Sequence, residues 1–84
     1  MSLTVEQLRG ARAMLGITQA ELARRSRVSL PTVKRLELGK GAIGGRPGTG
    51  EKLQRALESA GIEFTEENGG GAGVRLKRKA RRSA

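Results

Sequence analysis

Along residues 3–38 apolar side chains recur at the three-to-four-residue spacing of an amphipathic helix, in three bursts that each follow a hydroxyl residue. The first burst, Val5, Leu8, Ala11 and Leu15, starts behind Thr4. Thr4 and Gln7 have the spacing of a capping box, in which the hydroxyl accepts the N–H of the third helical residue and the glutamine reaches back. Leu3 and Leu8 bracket that start as a hydrophobic staple, and Gly16 suits the left-handed residue that closes a helix. The second burst repeats the device, with Thr18 and Glu21 as capping box and Ile17 and Leu22 as staple. Ser29 is the third cap, with Val28 and Val33 as staple and Pro31 in the first turn, where its missing N–H costs least. Gly39 is expected to close the third helix as Gly16 closes the first.

Residues 39–50, GKGAIGGRPGTG, hold six glycines and a proline and predict a loop. A fourth helix is expected on the stripe Leu53, Ala56, Leu57 and Ala60, ended by Gly61. IEFTEENGGGAGVRL, residues 62–76, has two strand-like pieces around an Asn-Gly-rich turn and predicts a β-hairpin. KRKARRSA, residues 77–84, is too charged to fold alone. The expected fold is mainly α: a compact domain of four to five helices over residues 1–61, a hairpin extension over 62–76 and a flexible basic tail over 77–84.

Composition narrows the function. The chain has 84 residues and no Cys and no His, so the usual zinc ligands, thiolate nucleophile and near-neutral acid–base are missing; no enzyme, metal or cofactor is expected. Its net charge of +9 favours a polyanionic partner. The start, MSLTVEQLRG, has neither the basic lead nor the apolar stretch of a signal peptide, and no run approaches a membrane span; a cytoplasmic, nucleoid-associated protein without membrane contact is expected.

GKGAIG (39–44) matches the dinucleotide fingerprint G-x-G-x-x-G in letters only. That motif works between a strand and a helix, where the turn lays pyrophosphate on the helix N-terminus; here it follows a helix and runs into more loop. GRPGTGEK (45–52) lacks the adjacent Gly-Lys pair of a phosphate loop. Residues 18–38 are more specific. Two short capped helices around a tight turn are the geometry of a helix-turn-helix, whose second helix enters the major groove. With Val33 facing the core, a turn of about 100° per residue puts Ser29, Leu36 and Glu37 on its side, Pro31, Lys34, Arg35 and Leu38 on the other, and Thr32 on the flank. The outward face then offers cations, a hydroxyl and apolar groups suited to base edges and thymine methyls. The plainer alternative is a solvated basic face on a structural helical hairpin.

LRGARAMLGITQAELARRSRVSLPTVKRLELGKG resembles the lambda-repressor-like, Cro-type (XRE) helix-turn-helix DNA-binding family. The matching features are Gln19 opening the second helix, Ala23 where the helices touch, Val33 in the core and the Glu37-Leu38-Gly39 ending; the likeness covers residues 3–61. The resemblance implies a DNA phosphate at Gln19 and base-reading positions at Leu30, Pro31, Thr32 and Arg35, with Lys34 beside them on the outward face. It also implies that Lys40 lies near the DNA backbone. By charge, Arg27 and the tail cations Lys77, Arg78 and Lys79 are further candidates for phosphate contact; for the tail, a nuclear localisation signal, a membrane-surface patch and a solubilising end without specific role are the alternatives. The resemblance further implies an ion pair between Arg12 and Glu37, both of which lie on core-facing stripes; the other outcome is that both side chains snorkel to water. Two positions depart from the family pattern: Arg27 stands where the turn usually has Gly, so it either takes a positive φ or alters the turn, and the recognition helix starts Leu-Pro.

The expected function is sequence-specific binding of double-stranded DNA by a small transcriptional regulator, of repressor type, acting as a homodimer on a two-fold site. An antitoxin gripping a toxin partner through its C-terminal region is the alternative within the binding class. A charge-driven, non-specific nucleic-acid-binding protein is a third, and the single aromatic residue, Phe64, offers it few stacking platforms. The segment 62–76 is a candidate dimer surface; its apolar side packing back on the fourth helix is the alternative.

Overall fold

The computed structural model of the protein describes residues 3–66 and 70–77. Among them are four helices, α1 (Val5–Leu15), α2 (Gln19–Ser26), α3 (Leu30–Glu37) and α4 (Thr49–Ser59), followed by strands β1 (Ile62–Thr65) and β2 (Gly73–Leu76). Leu8, Leu22, Val33 and Leu53, one from each helix, are fully buried, so the four helices share one core. Burying such side chains contributes roughly 1.5–3 kcal/mol each. α2 packs against both α3 and α4, while α1 carries β2.

The hydroxyl caps hold each early helix start. The side chains of Thr4, Thr18 and Ser29 accept the N–H of Gln7, Glu21 and Thr32 respectively. At α1 the box is reciprocal, since Gln7 Oε1 accepts the Thr4 N–H at 2.9 Å. At α2 it is not: the expected return bond from Glu21 is replaced by its pairing with Arg24 at 2.5 Å and Arg25 at 2.7 Å. A guanidinium outcompetes a neutral N–H for a carboxylate because both partners are charged.

Three other expectations are corrected. Gly39 does not close α3 in a left-handed turn; Leu38 ends the helix in right-handed geometry. The orphan carbonyls there are met otherwise, as Gly39 N–H donates to Leu36 O at 3.2 Å and Arg9 of α1 donates to Glu37 O at 2.9 Å. Ser29 is exposed rather than core-facing, because as a cap its backbone is extended and the helical step does not reach it. Helix α4 begins at Thr49, inside the expected loop, behind Gly48 at φ 91 and without a side-chain cap.

The glycine loop is stitched down. Val5 N–H donates to Gly41 O at 2.8 Å and Ile43 N–H to Leu3 O at 2.9 Å, a bridge between Thr4 and Ala42. The Glu6 carboxylate accepts the Gly41 N–H at 3.1 Å, so an anion of the chain's own occupies that amide of the fingerprint-like segment. The two strands are antiparallel, with Ile62 opposite Leu76 and Phe64 opposite Val74. Ile62 is buried, and Phe64 and Val74 pack against the core. The hairpin therefore lies on the helices, β2 on α1 and β1 on α4. Buried Gln7 clamps it: Nε2 donates to Thr65 O at 3.0 Å and Gly73 O at 2.9 Å, at the end where the strands part.

Candidate nucleic-acid interface

Three helices converge on one carboxylate. Glu37, at the end of α3 and only 5 % exposed, accepts two hydrogen bonds from Arg12 of α1, from Nε and from Nη2, each at 2.9 Å. Gln19, the first residue of α2, donates Nε2 to Glu37 Oε1 at 3.0 Å. The remaining reach of Arg12 goes to Ile17 O at 3.0 Å. A fork-to-fork pair fixes direction as well as distance. The end of α3 is thereby tied to α1 and to the start of α2, and α3 cannot roll without breaking a buried charge pair. The sequence does not mark Gln19 as a partner of Glu37, because their spacing carries no periodic signal across two helices.

The turn between α2 and α3 runs through Arg27, which takes φ 63, ψ 28 and donates its N–H to Ala23 O at 2.9 Å. It is the one non-glycine residue with positive φ among the described residues. Ser26, buried behind the turn, accepts the Val28 N–H at 3.2 Å. The turn is thus satisfied by its own polar groups while Arg27 keeps the left-handed conformation that a glycine would adopt without strain.

With its end and its start fixed, α3 presents one side to the outside. Val33, Leu36 and Glu37 are buried, and Pro31, Lys34, Arg35 and Leu38 are exposed, Leu38 by 86 %. Among the described residues the side chains of Lys34 and Arg35 have no hydrogen-bond or ion-pair partner. Thr32 is half-buried and its hydroxyl accepts from Ser29 at 2.9 Å. Leu30 is half-buried against the core, which leaves less of it for an outside partner than of Pro31.

Of the remaining candidates, Gln19 is half-buried with one amide N–H spent on Glu37, so the second N–H is what it has left for an acceptor. Lys40 and Arg27 are exposed, and Lys77 is exposed at the end of β2 with its backbone N–H on Gly61 O at 2.6 Å. Lys77 belongs to the hairpin end, so the structure does not bring it together with the residues of α3. Arg78 and Lys79 lie outside the described residues.

Residues 8–46 match the helix-turn-helix family model, a segment that runs from α1 through α3 into the glycine loop. This segment is a lambda-repressor-like, XRE-family helix-turn-helix. The match supports DNA binding of the XRE type by this segment, in a family of regulator domains and not of enzymes. No curated protein gave a significant match. Among the described residues no helix is long and apolar enough to cross a membrane, and no His, Cys, Asp and Glu side chains gather as metal ligands.

Proposed function

We propose that the protein is a sequence-specific repressor that places α3 in the major groove of double-stranded DNA. The observation that carries this is the outward face of α3: Lys34 and Arg35 are exposed and unpartnered among the described residues, on a helix held by the buried Arg12–Glu37–Gln19 network. A cation without an internal partner keeps its donors for base edges and phosphates. In this reading Pro31, Thr32, Lys34 and Arg35 read bases with Leu30 at their margin, and Gln19, Arg27 and Lys40 take phosphates. Lys77, Arg78 and Lys79 add charge without choosing bases.

One domain reads few base pairs, so we propose a homodimer on a two-fold site. Among the described residues each strand of the two-stranded sheet has one edge without a further strand, and this and the half-exposed Leu76 favour the hairpin as the surface where a second copy pairs. Selection of bound sites from random duplexes, followed by competition at physiological salt, tests the function. A preference of at least about a thousandfold for the selected site is expected. Equal affinity for all duplexes would replace it with charge-driven, non-specific binding.

A further inference from the structure

A second cluster of cations lies away from the outward face of α3. A cavity of about 330 Å³ opens between the end of α2 and the side of α4, lined by Arg25, Ser26, Arg27, Lys52, Arg55, Ala56 and Ser59. Small-ligand sites fall roughly in the range 300–1,000 Å³. Four cations and two hydroxyl groups face it, and no carboxylate is in its lining. Arg27, Lys52 and Arg55 have no side-chain partner among the described residues. Arg25 is held from behind by Glu21, whose pKa the Arg25 and Arg24 side chains lower, and this steadies its guanidinium. Glu58, on the neighbouring flank of α4, accepts from Gln54 at 3.0 Å instead of pairing with Arg55.

Two independent features point to a ligand. Arg27, Lys52 and Arg55 are like charges drawn together with no ion pair among the described residues, which repel, and the core does not require them: Leu53 and Leu57 make the buried stripe of α4, and Lys52 and Arg55 are exposed. Arg27 also stands in the left-handed region at φ 63, where a glycine would be free of strain. A strained residue that carries a charge to the rim of a cationic cavity is kept there for its side chain, not for the turn. We propose that this recess is a phosphate-binding site, in which Arg25 and Arg27 from α2 and its turn, and Lys52 and Arg55 from α4, surround the oxygens of one phosphate group while Ser26 and Ser59 border it. The phosphate comes either from a free polyphosphate or from a phosphodiester outside the stretch of DNA that α3 faces. Arg27 is shared with the phosphate contacts proposed above, whereas Arg25, Lys52 and Arg55 are not, so the site does not rest on what α3 recognises.

The test uses the full chain, isotope-labelled, and sodium tripolyphosphate added at constant ionic strength, with wild type and the double variant Lys52→Gln, Arg55→Gln. Both positions are exposed, so the variant retains its fold, which far-ultraviolet circular dichroism checks. Saturable amide shifts at Ser26, Arg27, Lys52, Arg55 and Ser59 are expected, weakened at least about tenfold in the variant as charge-assisted contacts are lost. The second arm measures duplex affinity against salt for both proteins. A salt slope shallower by about 0.9 for each contact removed assigns the phosphate to the DNA backbone. Saturable tripolyphosphate binding with an unchanged slope assigns it to a free anion. Shifts that never saturate, or that spread equally over Lys34, Arg35 and Lys40, together with equal slopes, overturn the proposal. The first arm contains no DNA, so a failure of the repressor reading leaves its outcome untouched.

Discussion

Arg12 on α1 and Arg27 in the turn between α2 and α3 use the same side chain in contrary ways. Arg12 is three-quarters buried, bonded twice to Glu37 and once to a carbonyl, on a helix with ordinary geometry. Arg27 is exposed, unpartnered among the described residues, and strained at its own backbone. The first cation serves the fold: remove it and Glu37 is left buried with Gln19 alone. The second costs the fold something and returns nothing to it that a glycine would not supply. Charges that hold this molecule together are inside and paired, and charges left over are outside and available to a polyanion.

The largest expected effect breaks the first side of that contrast. Arg12→Met strands a carboxylate that is 5 % exposed, and removing one partner of a buried pair typically costs about 3–5 kcal/mol. Denaturant melts measure it; a loss below about 1 kcal/mol would mean that the pair behaves as a surface pair. Next, Arg35→Ala removes an outward cation and is expected to cost about 1–3 kcal/mol on the selected duplex and relax choice at one position. Stability should be nearly unchanged. An equal loss on scrambled duplexes would make Arg35 a holder of phosphate and not a reader of bases.

Arg27→Gly sharpens the other side. Relief of the left-handed strain, offset by the greater freedom of glycine when unfolded, should raise stability by up to about 1 kcal/mol. A lower denaturation midpoint would show that the Arg27 side chain helps to hold the turn. The smallest effect concerns exposed Glu6, held below the usual carboxylate range first by its own backbone N–H and then by that of Gly41. A depressed folded-state pKa contributes stability above the unfolded value, near 4.5, and that contribution is lost as pH falls through the folded one. Acidification in that window should shift the Gly41 amide resonance and loosen the glycine loop before the core. A Gly41 amide indifferent to pH there would detach Glu6 from the loop.

Much of this was legible in the residues. Hydroxyl caps announced three helix starts because a capping bond is local, spanning three positions. The two sides of α3 follow from the helical step with Val33 in the core, except at Ser29, where the backbone is extended and not helical. Illegible were the matters settled between distant residues. Whether Gly39 or Arg9 would close α3 depended on α1 lying within reach of Glu37 O. Whether Glu21 would complete a capping box depended on two arginines competing for it.

The same division separates what the chain determined alone from what its tertiary structure decided. Periodicity, caps and charge determined the helices, the outward face of α3 and a polyanionic partner, because each rests on spacings of a few residues or on a sum over all of them. The shared carboxylate of Glu37, the Gln7 clamp on the hairpin and the cationic recess between α2 and α4 were decided by packing. Each brings together side chains from separate elements, and no local rule of spacing specifies which oxygen, amide or guanidinium will meet when those elements close on a common core.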